Sequence, residues 1–266
     1  MSDFETIGFL AENPSGIGSE IQQRFGEHLA IAQELNKYSQ AKQYELTPRN
    51  SDATELLVTM LVVRTLSTYQ SVLLLVEKGM KHQVQIVLRS MYEPVFQIKA
   101  LANDPRFIEA MTDDDFIRRK RGIQSLIDYF NRNGIQGDEL DRARNKRLEL
   151  RKELKKRKPK CKEGLSIRTL AKTAGMMDCY DTAYSFHSST VHCSLLSLEE
   201  DFILDKNGIV TALRNEPSTD GIQSVLSSAV ELMCIAMIAT NQVLKLDSDP
   251  KLADIRYRNQ SLFSGT

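Results

Sequence analysis

The chain lacks tryptophan altogether, and its 266 residues include only 13 glycines and 7 prolines. With so few helix breakers, and with Leu, Ala, Glu, Lys, Arg and Gln abundant, the composition leans to helix. Cysteine is scarce too. Cys161, Cys179, Cys193 and Cys234 are widely spaced and form no Cys-x-x-Cys pair, which excludes a zinc knuckle and a dithiol redox centre. Net charge is absent, at 35 basic against 35 acidic residues. The opening "MSDFETIGFL" has neither a basic n-region nor an adequate apolar run, so no signal peptide is read and a reducing cytoplasm is expected. Uninterrupted apolar runs are missing as well. Residues 56–76 are broken by Arg64, Tyr69 and Gln70, and residues 225–244 by Glu231, Asn241 and Gln242, so both are read as buried bundle helices and no membrane partner is expected. What remains, 41% apolar and 26% charged, is globular rather than disordered.

The neutral total hides an asymmetry. Residues 142–162, "RARNKRLELRKELKKRKPKCK", hold twelve lysines and arginines against Glu149 and Glu153, a net +10 that leaves −10 on the rest. Apolar residues recur at three and four along Ile21, Phe25, Leu29, Ala32 and Leu35, predicting a helix over about 17–46. Further helices are expected at about 53–78, ended by Gly79, and at 81–102, kinked at Pro94. Residues 106–132 read as one or two helices, with Asp113, Asp114 and Asp115 at a helix start. A basic helix over 138–157 carries a thin stripe of Leu140, Ala143, Leu150 and Leu154, broken by Arg147, and is expected to protrude. A short helix in "LSIRTLAKTAG" precedes another after Met177, and a long one closes the fold at 219–246. Lys206-Asn207-Gly208 predicts the single hairpin, at about 201–213. The expected fold is all-α: one multi-helix bundle over 16–247, with a flexible arm at 1–15, a basic arm at 138–162 and a tail at 248–266 that adds at most a short helix.

Two constellations carry candidate chemistry. In "YDTAYSFHSSTVHCSLLSLEED", Tyr184, Ser188 and His192 fall at i, i+4 and i+8, on one helical face. Imidazole is the natural proton shuttle near neutral pH, and the hydroxyls offer it partners. His187 and His192 are five apart, the wrong spacing for a shared metal, and His187 reads as structural. No Glu-x-x-His pair or cysteine cluster appears, so no metal or other cofactor is expected. Arg89 and Glu93 lie one turn apart in an apolar helix, where a guanidinium needs a partner. They are either a structural ion pair or an anion-binding pair. The basic helix adds Arg142, Arg144, Lys146, Arg147, Arg151, Lys152, Lys155, Lys156, Arg157 and Lys158, able to neutralise phosphates but with no aromatic for base stacking.

"LRSMYEPVFQIKALANDP", "YDTAYSFHSSTVHCS" and the Asp-x-Asn-Gly hairpin resemble a bacterial all-helical domain family of unknown function over about residues 50–245. The resemblance implies a site of Arg89, Glu93, Tyr184, Ser188 and His192. A looser similarity is to the HEPN superfamily of helical ribonucleases, which cleave RNA without metal, usually as dimers, through an Arg-x(4–6)-His motif. That motif is absent here, and the position after the tyrosine is Ser185. Two functions are therefore expected in order. The first is a binding module with a polar inter-helix pocket and a basic arm for RNA or another anionic partner, with apolar helices that allow a homodimer. The second is a metal-independent ribonuclease of toxin or phage-defence type.

Overall fold

The structure is a computed structural model that describes residues 3–158, 164–191, 198–199, 201–214 and 216–264. Helices α1 (Asp3–Ile7), α2 (Ile17–Lys42), α3 (Ala53–Glu77), α4 (Lys81–Asn103), α5 (Phe107–Arg132), α6 (Asp138–Arg157) and α7 (Ile167–Ala174) come first. A broken helix follows: α8 (Met177–Cys179), a π-helical turn (Tyr180–Tyr184) and α9 (Ser185–Val191). Strands β1 (Phe202–Leu204) and β2 (Val210–Leu213) pair antiparallel, and α10 (Ile222–Leu244) and α11 (Pro250–Ser264) complete the chain.

Local chemistry accounts for these boundaries. The Asp52 carboxylate caps α3 by accepting from the backbone N–H groups of Thr54 and Glu55. Gly79 closes α3 with φ +64°, and a Cβ there would meet Ile17 at 2.8 Å, so both conformation and close approach require glycine. Helix α4 continues through Pro94, which deprives Ser90 of one helical donor without ending the helix. In the β-turn, the Asp205 carboxylate accepts from the N–H groups of Asn207 and Ile209, so the turn rests on Asp205 as much as on Asn207-Gly208.

The core forms where α3, α4 and α10 pack on one another, with α2, α7 and α11 around them. Val58, Leu66, Leu88, Met91, Phe96, Leu226 and Met233 are sealed in it. Helices α3 and α10 are long and apolar enough to cross a membrane by length and composition alone, and their most apolar windows are 39% and 67% buried in the bundle. Four of their polar interruptions are matched. Tyr69 donates to the Ala32 carbonyl, Gln70 to Asn36, Gln242 to the Ala102 carbonyl, and Glu231 pairs with Arg256. Arg64 stays exposed.

Three expectations change. The N-terminal arm is tied down: Ala11 and Pro14 are buried, and the Lys78 ammonium donates to the carbonyls of Ala11 and Glu12. The tail is the 15-residue helix α11, which buries Leu252, Ile255 and Asn259. Asp113, Asp114 and Asp115 do not start a helix. They lie inside the continuous α5, where they pair with Arg157, Arg118 and Arg119.

The basic helix is half of a helical hairpin. Only the start of α5, at Phe107, Ile108 and Met111, packs on the main core. At 26 residues α5 extends about 39 Å. Helix α6 returns along it, and Ile127, Phe130, Leu140 and Ala143 make a small separate core. The predicted stripe is thus the α5-facing side of α6, and Arg147 interrupts it by donating to the Gln124 side chain.

Candidate functional site

Arg89 and Glu93 sit one turn apart on α4, and Tyr184 ends the π-helical turn packed against them. Arg89 Nη1 donates to Glu93 Oε1 at 2.7 Å, and Nη2 donates to the Tyr184 hydroxyl. The guanidinium also lies over the Tyr184 ring, 3.9 Å from its centroid. The Tyr184 hydroxyl points back toward Glu93 Oε1 at 3.5 Å. A residue 95 positions away in sequence therefore completes the local pair. Burial holds the Tyr184 phenol above its usual pKa despite the pull of Arg89, so it is a neutral donor near pH 7.

These contacts belong to a longer polar seam. His82, Gln85, Arg89 and Glu93 recur at three and four along α4 and share one face. His82 Nε2 lies 2.8 Å from Asp201 Oδ1, Gln85 accepts from Thr190 at 2.9 Å, and Arg89 and Glu93 meet Tyr184. The residues opposite fall at three-residue spacing: Tyr184, His187 and Thr190 are buried, while Ser188 is half-buried. The face turned to α4 is therefore centred nearer His187 than Ser188. Sequence reading left His82 and Gln85 without a role, although the spacing 82, 85, 89, 93 was there to be read. His192 lies outside the described residues, so the imidazole of the expected site has no placement.

His187 is sealed among aromatics, its ring centroid 6.2 Å from that of Tyr92 and 5.4 Å from that of Phe186. Burial lowers its pKa to about 4, and its Nδ1 has no hydrogen-bond partner. Such an imidazole is neutral near pH 7. Arg89 Nε is likewise buried without a partner. Behind Tyr92, a cavity of about 330 Å³ touches Cys179, Glu231 and Asn259. Its polar groups are engaged elsewhere: Glu231 by Arg256, and Asn259 by the Ser227 carbonyl. Burial pushes the Cys179 thiol up to about 11, which removes it as a thiolate nucleophile near pH 7. Among the described residues, no three His, Cys, Asp or Glu side chains cluster as a metal site.

The second candidate region is the hairpin. Four of the predicted cations are paired with acids: Arg144 with Asp141, Lys146 with Glu149, Lys156 with Glu153, and Arg157 with Asp113. Arg142, Arg151, Lys152, Lys155 and Lys158 have no carboxylate partner among the described residues. Helix α5 contributes Lys120 and Arg121, which face the same cleft as part of α6. Sequence reading credited neither, although "RRKR" at 118–121 marks them.

Fold and site together define an all-helical bundle with a cross-linked polar seam and a projecting basic helical hairpin. The chain belongs to a family of unknown function, DUF5677, which it matches over residues 55–209. That span runs from α3 through the seam and the helical hairpin to the β-turn. No curated protein and no solved structure matches the chain.

Proposed function

We propose that this is a binding module whose α5–α6 hairpin engages a phosphate-bearing polyanion, with RNA as the class of partner. The observation that carries the reading is the set of cations without acid partners on a helix pair held away from the main core. Ion-paired lysines would gain little from a phosphate. Unpaired ones release counterions when they meet it, and affinity then falls steeply with salt. With no aromatic on α6 between Arg142 and Lys158, the contact reads charge and shape rather than base identity. In this reading the Arg89 seam is scaffold, because both terminal guanidinium nitrogens are engaged within the protein.

The test is fluorescence anisotropy of a labelled single-stranded RNA across a salt series. A linear fall of log affinity with log salt, made shallower by Arg142→Gln with Lys152→Gln, supports the reading. Affinity indifferent to salt and to both substitutions rejects it.

The Arg89–Tyr184 contact motivates the second reading, a metal-independent ribonuclease in which Arg89 steadies a phosphate and His192 transfers the proton. The same RNA, incubated in EDTA and run on a gel, tests it. Cleavage lost in His192→Ala supports catalysis, and intact RNA rejects it.

A further inference from the structure

We propose that the hollow between α5 and α6 is a binding site for a compact oligophosphate, a group of two or three linked phosphates. The inference rests on the hairpin being a phosphate-binding element and names the chemical group that its cleft takes.

The cleft encloses about 510 Å³ and is lined by Ile117, Lys120 and Arg121 from α5 and by Arg151, Leu154, Lys155 and Lys158 from α6 and its cap. On each helix one apolar residue is set among cations at three- and four-residue spacing, so two like faces confront each other. Ile117 is buried and Leu154 half-buried, giving the cleft an aliphatic floor beneath five cationic heads. Its size is that of a small-ligand pocket.

The distribution of acids is the decisive point. Both helices carry carboxylates, and five of them pair with cations outside the lining: Asp114 with Arg118, Asp115 with Arg119, Asp113 with Arg157, Glu149 with Lys146, and Glu153 with Lys156. No carboxylate lines the cleft, and its five cations form no ion pair among the described residues. Like charges gathered at helical spacing repel one another, and among the described residues no carboxylate pairs with these five to offset that repulsion. One phosphodiester carries a single charge and would offset a fifth of it. A di- or triphosphate matches the charge far better and fits the volume. The lining has no aromatic side chain, so a base attached to the ligand is not stacked within it.

Lys158 stands on the rim of the cleft. It caps α6 in the left-handed conformation, at φ +51°, where glycine is the favoured residue.

The probes are tripolyphosphate and orthophosphate, titrated into the full chain by calorimetry at fixed ionic strength. Tripolyphosphate is expected to bind at least about tenfold more tightly than orthophosphate. Arg121→Gln and Arg151→Gln should each weaken it about tenfold, one charged contact's worth. Arg64→Gln, on the exposed side of α3 and outside the cleft, should leave it within about twofold. Lys158→Gly separates binding from folding: it should raise the thermal midpoint while weakening tripolyphosphate. Equal affinity for the two phosphates, or cleft variants that bind like wild type, overturns the proposal.

Two RNA oligomers differing only in a 5′-triphosphate or 5′-hydroxyl identify the source of the group. Preference for the triphosphorylated end supports an RNA terminus. Tripolyphosphate binding without that preference supports a free oligophosphate. RNA binding that tripolyphosphate neither competes with nor accompanies defeats this proposal and leaves the general one standing. Tripolyphosphate binding with no affinity for RNA does the reverse.

Discussion

At the scale of single residues, Arg89 shows what spacing reveals and what it hides. Its pairing with Glu93 follows from four-residue spacing in an apolar helix. Its second partner, Tyr184, is a tertiary contact that no local rule supplies, and only the resemblance to a domain family put the two in one set. Tyr184→Phe would leave Arg89 Nη2 without an acceptor in a largely buried position, at an expected cost of about 1–3 kcal/mol in urea unfolding. A cycle with Arg89→Met should return a coupling above about 0.5 kcal/mol, and additive losses would mean that the contact contributes nothing. His187 makes a pH prediction. The folded protein holds its pKa near 4 by burial, while the unfolded imidazole titrates near 6.5. The unfolded chain therefore takes up the proton first. Stability is full above pH 6.5 and falls toward pH 4, by at most about 3 kcal/mol from this group. His187→Leu should flatten the urea midpoint over that window relative to wild type, and parallel profiles would refute the assignment.

At the scale of elements, most helices were legible because their apolar positions repeat at three and four and their ends carry Asp52, Gly79 or Gly175. Helix α5 was the harder case. Its three consecutive aspartates resemble an N-terminus, yet each supports an arginine on the same helix or on α6. The stripe on α6 predicted a protruding helix but not which neighbour it would lie along. Because the hairpin has its own small core, it should open without the bundle. Leu140→Ala is expected to lower amide protection across residues 123–147 while leaving α4 and α10 unchanged. Leu88→Ala, in the main core, should cost about 2–5 kcal/mol globally. Hydrogen exchange read by mass spectrometry decides it, and one shared loss of protection for both variants would show a single cooperative unit.

At the scale of the whole molecule, the all-helical class was readable from composition and period alone. Which termini dock was not. The N-terminal arm is held through Lys78 reaching two backbone carbonyls, and α11 is held by Leu252 and Ile255, contacts that depend on surfaces assembled by distant segments. Residues 142–158, on α6 and its cap, carry a net +8 that the rest of the chain balances with −8, and the pI is about 6.9. Near neutral pH each molecule thus combines a concentrated basic patch with a diffuse acidic excess, and no net repulsion keeps copies apart. At about 10 mM salt the screening length, about 30 Å, is close to the length of the hairpin, so copies should attract one another. At physiological ionic strength it shrinks to about 8 Å and the attraction fades. The expected behaviour is salting-in: a negative second virial coefficient by light scattering in dilute buffer that turns positive as salt is added.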